Sequence, residues 1–312
     1  MATNLTDAYN NGVPLMTGLP FGSRYFFVDE NNANASDSGN NDGTMDYPFD
    51  TIDYAIGRCT ANKGHVIVVM PGHTETIVAA AGIDADVAGI TIVGIGEGSV
   101  KPVITWGTAT TATWKVNAAN IKIKNFRCVG NIDSLVKFFD INADYATFED
   151  INFVTSSTKE ALSFFNLATT KDYLTVRRCT AEQPTDPAGT DGGADTGFLY
   201  CVDSEYILFE DCHVSGMFET AIFHNRTTKC RNLRVVNCYG NQLLSGAEPF
   251  QLVADVDGGA WGGLFLTPAE AAATEATLVG TIGDKFFVSP TCTFGNDGAA
   301  GGQGGIIVAT AS

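Results

Sequence analysis

The chain has 312 residues, 45% of them hydrophobic, with a formal net charge of −17. The apolar share is ample for a core, and the acidic balance leaves no basic patch to neutralise phosphates, which argues against nucleic acid as a partner. No run reaches transmembrane length, which argues against a membrane protein, and the opening M-A-T-N-L-T-D lacks the basic and apolar regions of a secretory signal, so cytoplasmic synthesis is expected.

Residues 1–22 carry no strand or helix period and contain Gly12, Pro14, Gly18, Pro20 and Gly22. Leu5, Tyr9, Val13, Leu15, Met16, Leu19 and Phe21 nonetheless make the segment too apolar for a solvated tail. It reads as an arm that packs either on its own body or on a neighbouring protein. Arg24 to Val28 reads as a strand, and Asp29 to Asp46 as a polar loop rich in Asn, Asp, Ser and Gly. The acidic spacing of that loop is not that of an EF-hand, and Asp and Asn are what turns require, so no metal is assigned. A helix is expected at about 50–61. Asp50 is its predicted N-cap with Asp53 at N3, Phe49 and Tyr54 form a hydrophobic staple, and Ile52, Ala55, Ile56 and Cys59 share one face. Such a helix suits the end of a strand stack, whose open edge would otherwise invite aggregation.

Val66 to Met70 is a continuous apolar run ending at Pro71-Gly72, and G-I-T-I-V-G follows from Gly89. Three segments carry a resemblance: D-G-T-M-D-Y-P-F-D-T-I-D-Y-A-I from Asp42, G-H-V-I-V-V-M-P-G-H-T-E-T-I from Gly64, and G-I-T-I-V-G-I-G from Gly89. Together they resemble the opening of right-handed parallel β-helix proteins of the pectate-lyase-like superfamily, in particular those of tailed phages.

The centre of the chain repeats itself. N-I-K-I-K-N-F-R-C from Asn120 is followed by copies beginning at Tyr145, Tyr173, Tyr206 and Asn232, spaced by 25, 28, 33 and 26 residues. Aligned, they place Ile123, Phe148, Val176, Phe209 and Val235 in one apolar column. A polar column holds Asn125, Asp150, Arg178, Asp211 and Asn237, and beyond it come Phe126, Ile151, Cys179, Cys212 and Cys238. Period-2 alternation repeated at this spacing predicts strands stacked coil on coil, each coil rising about 4.8 Å. The expected fold is all-β: a single-stranded parallel β-helix, or solenoid, over residues 23–249, with an N-terminal capping helix and a small C-terminal β-rich cap or oligomerisation region over 250–312. Right-handedness follows from the resemblance and from the usual hand of parallel crossovers. The stacked cysteines are expected to be buried free thiols, which suits folding in a reducing compartment. The acidic, Gly-rich insertion between Ala181 and Gly197 reads as a plain surface loop, and strands are expected at Thr277 to Ile282, Lys285 to Val288 and Ile306 to Ala309.

The carboxylates best placed for chemistry are Asp150 and Asp211 in equivalent turns, with Arg178 between them, Glu149 and Glu210 beside them and His213 near. An alternating acid–base column also serves to relieve like-charge repulsion in a stack. His65, His73 and His224 have no nucleophile or acid placed with them by spacing. No catalytic residue, metal or cofactor is therefore assigned, and no enzymatic activity is expected. The phage resemblance implies a virion protein synthesised in the host cytoplasm. In that reading it decorates the outer capsid surface as a homotrimer bound to the major capsid protein, with the apolar residues of the arm as capsid contacts. The alternative on the same fold is a tailspike, or a glycoside hydrolase or polysaccharide lyase, with a glycan as partner.

Overall fold

The computed structural model describes residues 23–184, 197–225, 230–244, 247–252, 256–267, 285–296 and 306–308. Their strands form three sheets, called A, B and C below, of ten, ten and seven strands. One coil shows the plan: Leu135–Ile141 lies in sheet C, Thr147–Glu149 in sheet A and Asn152–Val154 in sheet B. The next coil repeats it with Ala161–Leu167, Thr175–Arg177 and Thr180–Gln183, each parallel to its predecessor. This is the parallel β-helix that the period-2 copies predict.

The pairing register reproduces the apolar column residue for residue. Ile123 stands opposite Phe148, Phe148 opposite Val176, Val176 opposite Phe209 and Phe209 opposite Val235, and all are buried. Side chains alternate across a strand, so one residue of slip would turn that column out to water. Inside, aromatic rings fill the solenoid. Phe165 alone has Phe139, Phe148, Phe153 and Phe198 within 4.9 to 5.7 Å between ring centroids.

Two left-handed backbone positions bracket the sheet A strand of each repeat. The first is held by Asn120, Tyr145, Tyr173, Tyr206 and Asn232, with φ between 52° and 62°. The second is held by Asn125, Asp150, Arg178, Asp211 and Asn237, with φ between 50° and 64°. Asn and Asp tolerate this region better than other L-residues because their short side chains bond locally. Asn125 instead bonds to the preceding coil, donating through Nδ2 to the carbonyls of Gly94 (2.8 Å) and Gly96 (2.9 Å).

The helix is shorter than expected, Ile52–Gly57, and Thr51 is its N-cap, accepting from the Tyr54 N–H at 3.3 Å. Asp50 does not cap it. Asp37 takes the Asp50 N–H at 2.8 Å, and with it the entry of the chain into the helix. The staple forms as predicted, Phe49 and Tyr54 meeting edge to face at 5.0 Å. Ile52, Ala55 and Ile56 are buried against the first strands of sheets A and C, so the helix closes that end of the stack.

The stack continues past Phe250. Asp257–Trp261 and Lys285–Val288 extend sheet A, Leu264–Thr267 and Thr293–Asn296 extend sheet B, and Ile306–Val308 closes sheet B in antiparallel sense. The expected strand at Thr277 to Ile282 and the arm residues Leu5, Tyr9, Val13, Leu15, Met16, Leu19 and Phe21 lie outside the described residues, as does most of the insertion after Ala181. All eight cysteines are free thiols, and all but Cys59 are buried. Burial pushes the Cys128 thiol above its ordinary range and Cys59 up to about 12.

Candidate functional site

The outward face of sheet A carries a charge lattice. It arises because the strands alternate: Ile123, Phe148 and Val176 point inward, which turns Lys122, Lys124, Glu149 and Arg177 outward. The corner that follows adds Asp150 and Arg178. Glu149 is only 8% exposed and stands within salt-bridge distance of Lys122 (3.6 Å), Lys124 (3.4 Å) and Arg178 (3.5 Å). Arg178 forks onto Asp150 through Nε to Oδ1 (2.8 Å) and Nη2 to Oδ2 (3.2 Å), a two-point pairing that fixes both side chains. One coil on, Arg177 Nε donates to Glu210 Oε2 at 2.6 Å. Lys101 reaches in from sheet B's side, its ammonium donating to the Asp150 carbonyl (2.7 Å) and to Asn152 Oδ1 (2.5 Å).

The electrostatics set what these groups can do. Burial works to raise the Asp150 pKa, but the Arg178 hydrogen bonds and charge, with Lys124, outweigh it and hold the carboxyl below its ordinary value. Asp150 is therefore an acceptor and an anchor; as it stands it has no proton to give near neutral pH. Burial lowers the Lys101 pKa, against the opposing pull of Asp150. A half-buried amine with a lowered pKa has the character of a base, provided its two acceptors release it.

The nominated residues are only partly brought together. Glu149, Asp150 and Arg178 form one cluster, while Glu210 joins Arg177 instead. Asp211 sits exposed at its corner, its N–H donated to the Val236 carbonyl at 3.0 Å. The symmetrical Asp–Arg–Asp column is thus one-sided, because the whole Arg178 fork is turned to Asp150. His213 faces sheet B, its ring 4.3 Å from Tyr239. Lys122, Lys124 and Arg177 were not singled out from the sequence, although their outward places in I-K-I-K and T-V-R-R carried the signal. Lys101 carried none, since it lies in another coil from Asp150.

A second concentration of acids surrounds an open cleft of about 580 Å³ beside the helix, lined by Glu30, Asp50, Asp53 and Glu75. Three of these carboxylates hold backbone. Glu30 accepts from the Thr74 N–H (3.0 Å) and its hydroxyl. Asp53 accepts from the Asp84 N–H (2.8 Å), and Glu75 from the Ile52 N–H (3.0 Å) with His73 Nε2 at 3.4 Å. His73 and His65 in turn accept from the Glu30 and Arg24 N–H groups at 3.2 and 2.9 Å, tying the first strand to its neighbours. His224 is buried beside the Tyr200 ring. In the loop after Val28, Asp29 and Asn32 accept from the N–H groups of Asn31 and Asn34, the work of turn residues.

Three parallel sheets with left-handed corners between them define a parallel β-helix protein. No family model matches the chain, and no curated protein matches it. Among solved structures it is similar to one described as "Rhamnogalacturonan lyase", with a TM-score of 0.54 and 16% sequence identity over 78% of this chain and 68% of that one. At that identity the likeness is one of fold, and it supports the parallel β-helix architecture. The expectation of no enzymatic activity is corrected by that finding: the same fold is seen in a structure described as a lyase, so the fold gives no ground for excluding activity here. The physical reason is plain: alternation specifies coils, while activity resides in outward residues that the alternation leaves free to vary.

Proposed function

We propose that this chain is a virion protein of a tailed phage, standing as a homotrimer on the outer surface of the head and bound to the major capsid protein. The observation that carries the reading is the resemblance of three segments, those from Gly64 and Gly89 together with Asp42 to Ile56, to phage β-helix proteins. Phe49, Ile52 and Ile56 from the last of these are buried where the helix closes the stack. The charge lattice fits the role of a rigid body, since Arg178, Asp150, Glu149, Arg177 and Glu210 fasten neighbouring coils to one another outside the backbone ladder. The test is the copy number of the chain in purified particles. Abundance close to that of the main shell protein is the expected result. A handful of copies would move the protein to the tail, and its absence from particles would discard the virion role altogether.

The second reading is a tailspike or polysaccharide-cleaving protein acting on an acidic glycan. It is favoured by the lyase likeness together with Lys101, Lys122, Lys124, Arg177 and Arg178 gathered along one face of an acidic chain. In this reading Lys101 is the proton acceptor. Incubation with acidic polysaccharides should then release unsaturated products, detected by their ultraviolet absorbance, and Lys101→Met should abolish that release. Equal release by the variant would remove Lys101 from the account.

A further inference from the structure

The left-handed position that opens each sheet A strand belongs to Asn in the copies at Asn120 and Asn232, but to Tyr145, Tyr173 and Tyr206 between them. Left-handed backbone costs a bulky residue more than it costs Asn or Gly. The three tyrosines recover only part of this by burial, being 48%, 39% and 46% exposed. Among the described residues they stack on one another, at 4.4 Å and 7° for Tyr145 on Tyr173 and at 4.7 Å and 3° for Tyr173 on Tyr206. The result is a continuous aromatic stripe along one corner of the solenoid, its ring edges turned to solvent.

Carboxylates run beside it. Asp144 uses Oδ1 to accept from the Asp172 N–H (3.1 Å), and Asp172 uses Oδ1 to accept from the Glu205 N–H (2.8 Å). Asp203 lies in the same corner, where the cations among the described residues are Lys171 and Arg231, the latter 3.3 Å from Glu205. Among the described residues the balance beside the stripe is negative, on a chain whose total is −17.

We infer that the Tyr145–Tyr173–Tyr206 stripe is an interaction surface for a cationic, arginine-bearing segment of a partner protein. Tyrosine offers large contact area at low entropic cost and a hydroxyl for hydrogen bonding, and it is enriched in interface cores together with arginine. Arginine stems pack on ring edges while their guanidinium groups reach the phenol and carboxylate oxygens at the repeat of one coil. A second copy of this chain fits less well, because it would bring more negative charge to an acidic stripe. The inference is independent of any particle role and needs only the purified chain.

The column itself supplies the test. Asn already occupies its two ends, so the triple variant Tyr145→Asn, Tyr173→Asn, Tyr206→Asn keeps both the net charge and the backbone. Binding of an oligoarginine peptide, followed by calorimetry on the full chain, should weaken at least about tenfold in this variant, with its melting temperature unchanged or raised. Asp144→Asn with Asp172→Asn, which keeps the Oδ1 acceptors but removes two charges, should weaken binding at the same ring content. If the tyrosine variant binds oligoarginine as tightly as the parent, the attraction is bulk charge alone and the stripe is no site. Failure of the parent to prefer oligoarginine over a neutral peptide of equal length would overturn it as well.

Discussion

Phe165→Ala should cost about 3–5 kcal/mol of stability, the range for emptying a phenylalanine site that cannot collapse. Phe165 is fully buried in sheet C, stacked on Phe139 at 5.7 Å and 11° and met edge to face by Phe148, Phe153 and Phe198. Those neighbours come from all three sheets, and each is pinned in its own ladder, so none can move to fill the void. Chemical unfolding followed by circular dichroism measures the loss. Tyr47→Ala is the control: Tyr47 is 54% exposed, and a change of no more than about 0.5 kcal/mol is expected. Comparable losses in the two variants would mean that the aromatic interior is not what holds the coils together.

Gly94→Ala, a far smaller change, should still cost about 1–3 kcal/mol, for the opposite reason. Gly94 ends the strand Thr91–Gly94, and a Cβ placed on it would come within 2.3 Å of the Asn125 carbonyl oxygen and 3.0 Å of the Pro102 ring. The first obstacle is backbone, held in place because Asn125 is itself bonded to Gly94 and Gly96. Gly107→Ala provides the contrast, as a Cβ there meets only the Thr76 methyl at an ordinary 3.5 Å. That variant should be neutral or slightly stabilising through the unfolded chain. The pair is read by thermal melting, and the account fails if Gly94→Ala melts with Gly107→Ala.

These sites also mark what a reading of the residues could reach. The columns through Ile123, Phe148, Val176, Phe209 and Val235 were legible because alternation at period 2 has one structural meaning when it recurs at the spacing of a coil. The coils beyond Phe250 were not, since Gly258 and Ala260 stand where Leu233 and Val235 mark the preceding copy. The helix was found but its cap was misplaced by one residue, because Asp50 and Thr51 are both good caps and the choice was made by Asp37, distant in sequence. For the candidate site, the pairing of Arg178 with Asp150 was legible as neighbours in a column. Its one-sidedness, and the arrival of Lys101, depend on side-chain directions that no spacing encodes. The exposed tyrosines opened the three middle copies in plain view, and the asparagines at Asn120 and Asn232 were the signal that their backbone is left-handed.

Every ladder but the last in sheet B joins a strand to its counterpart roughly one coil away in sequence: Val28 to Val69, Phe148 to Val176, Phe209 to Val235, Ala260 to Val288. A β-protein ordinarily folds slowly because distant strands must find each other, but here each pairing closes only a short loop. As the chain emerges during synthesis, a completed coil supplies the edge on which the next is laid, beginning at the helix-covered end. Assembly can thus keep pace with translation, and the stretch of strand left waiting for a partner at any moment is about one coil.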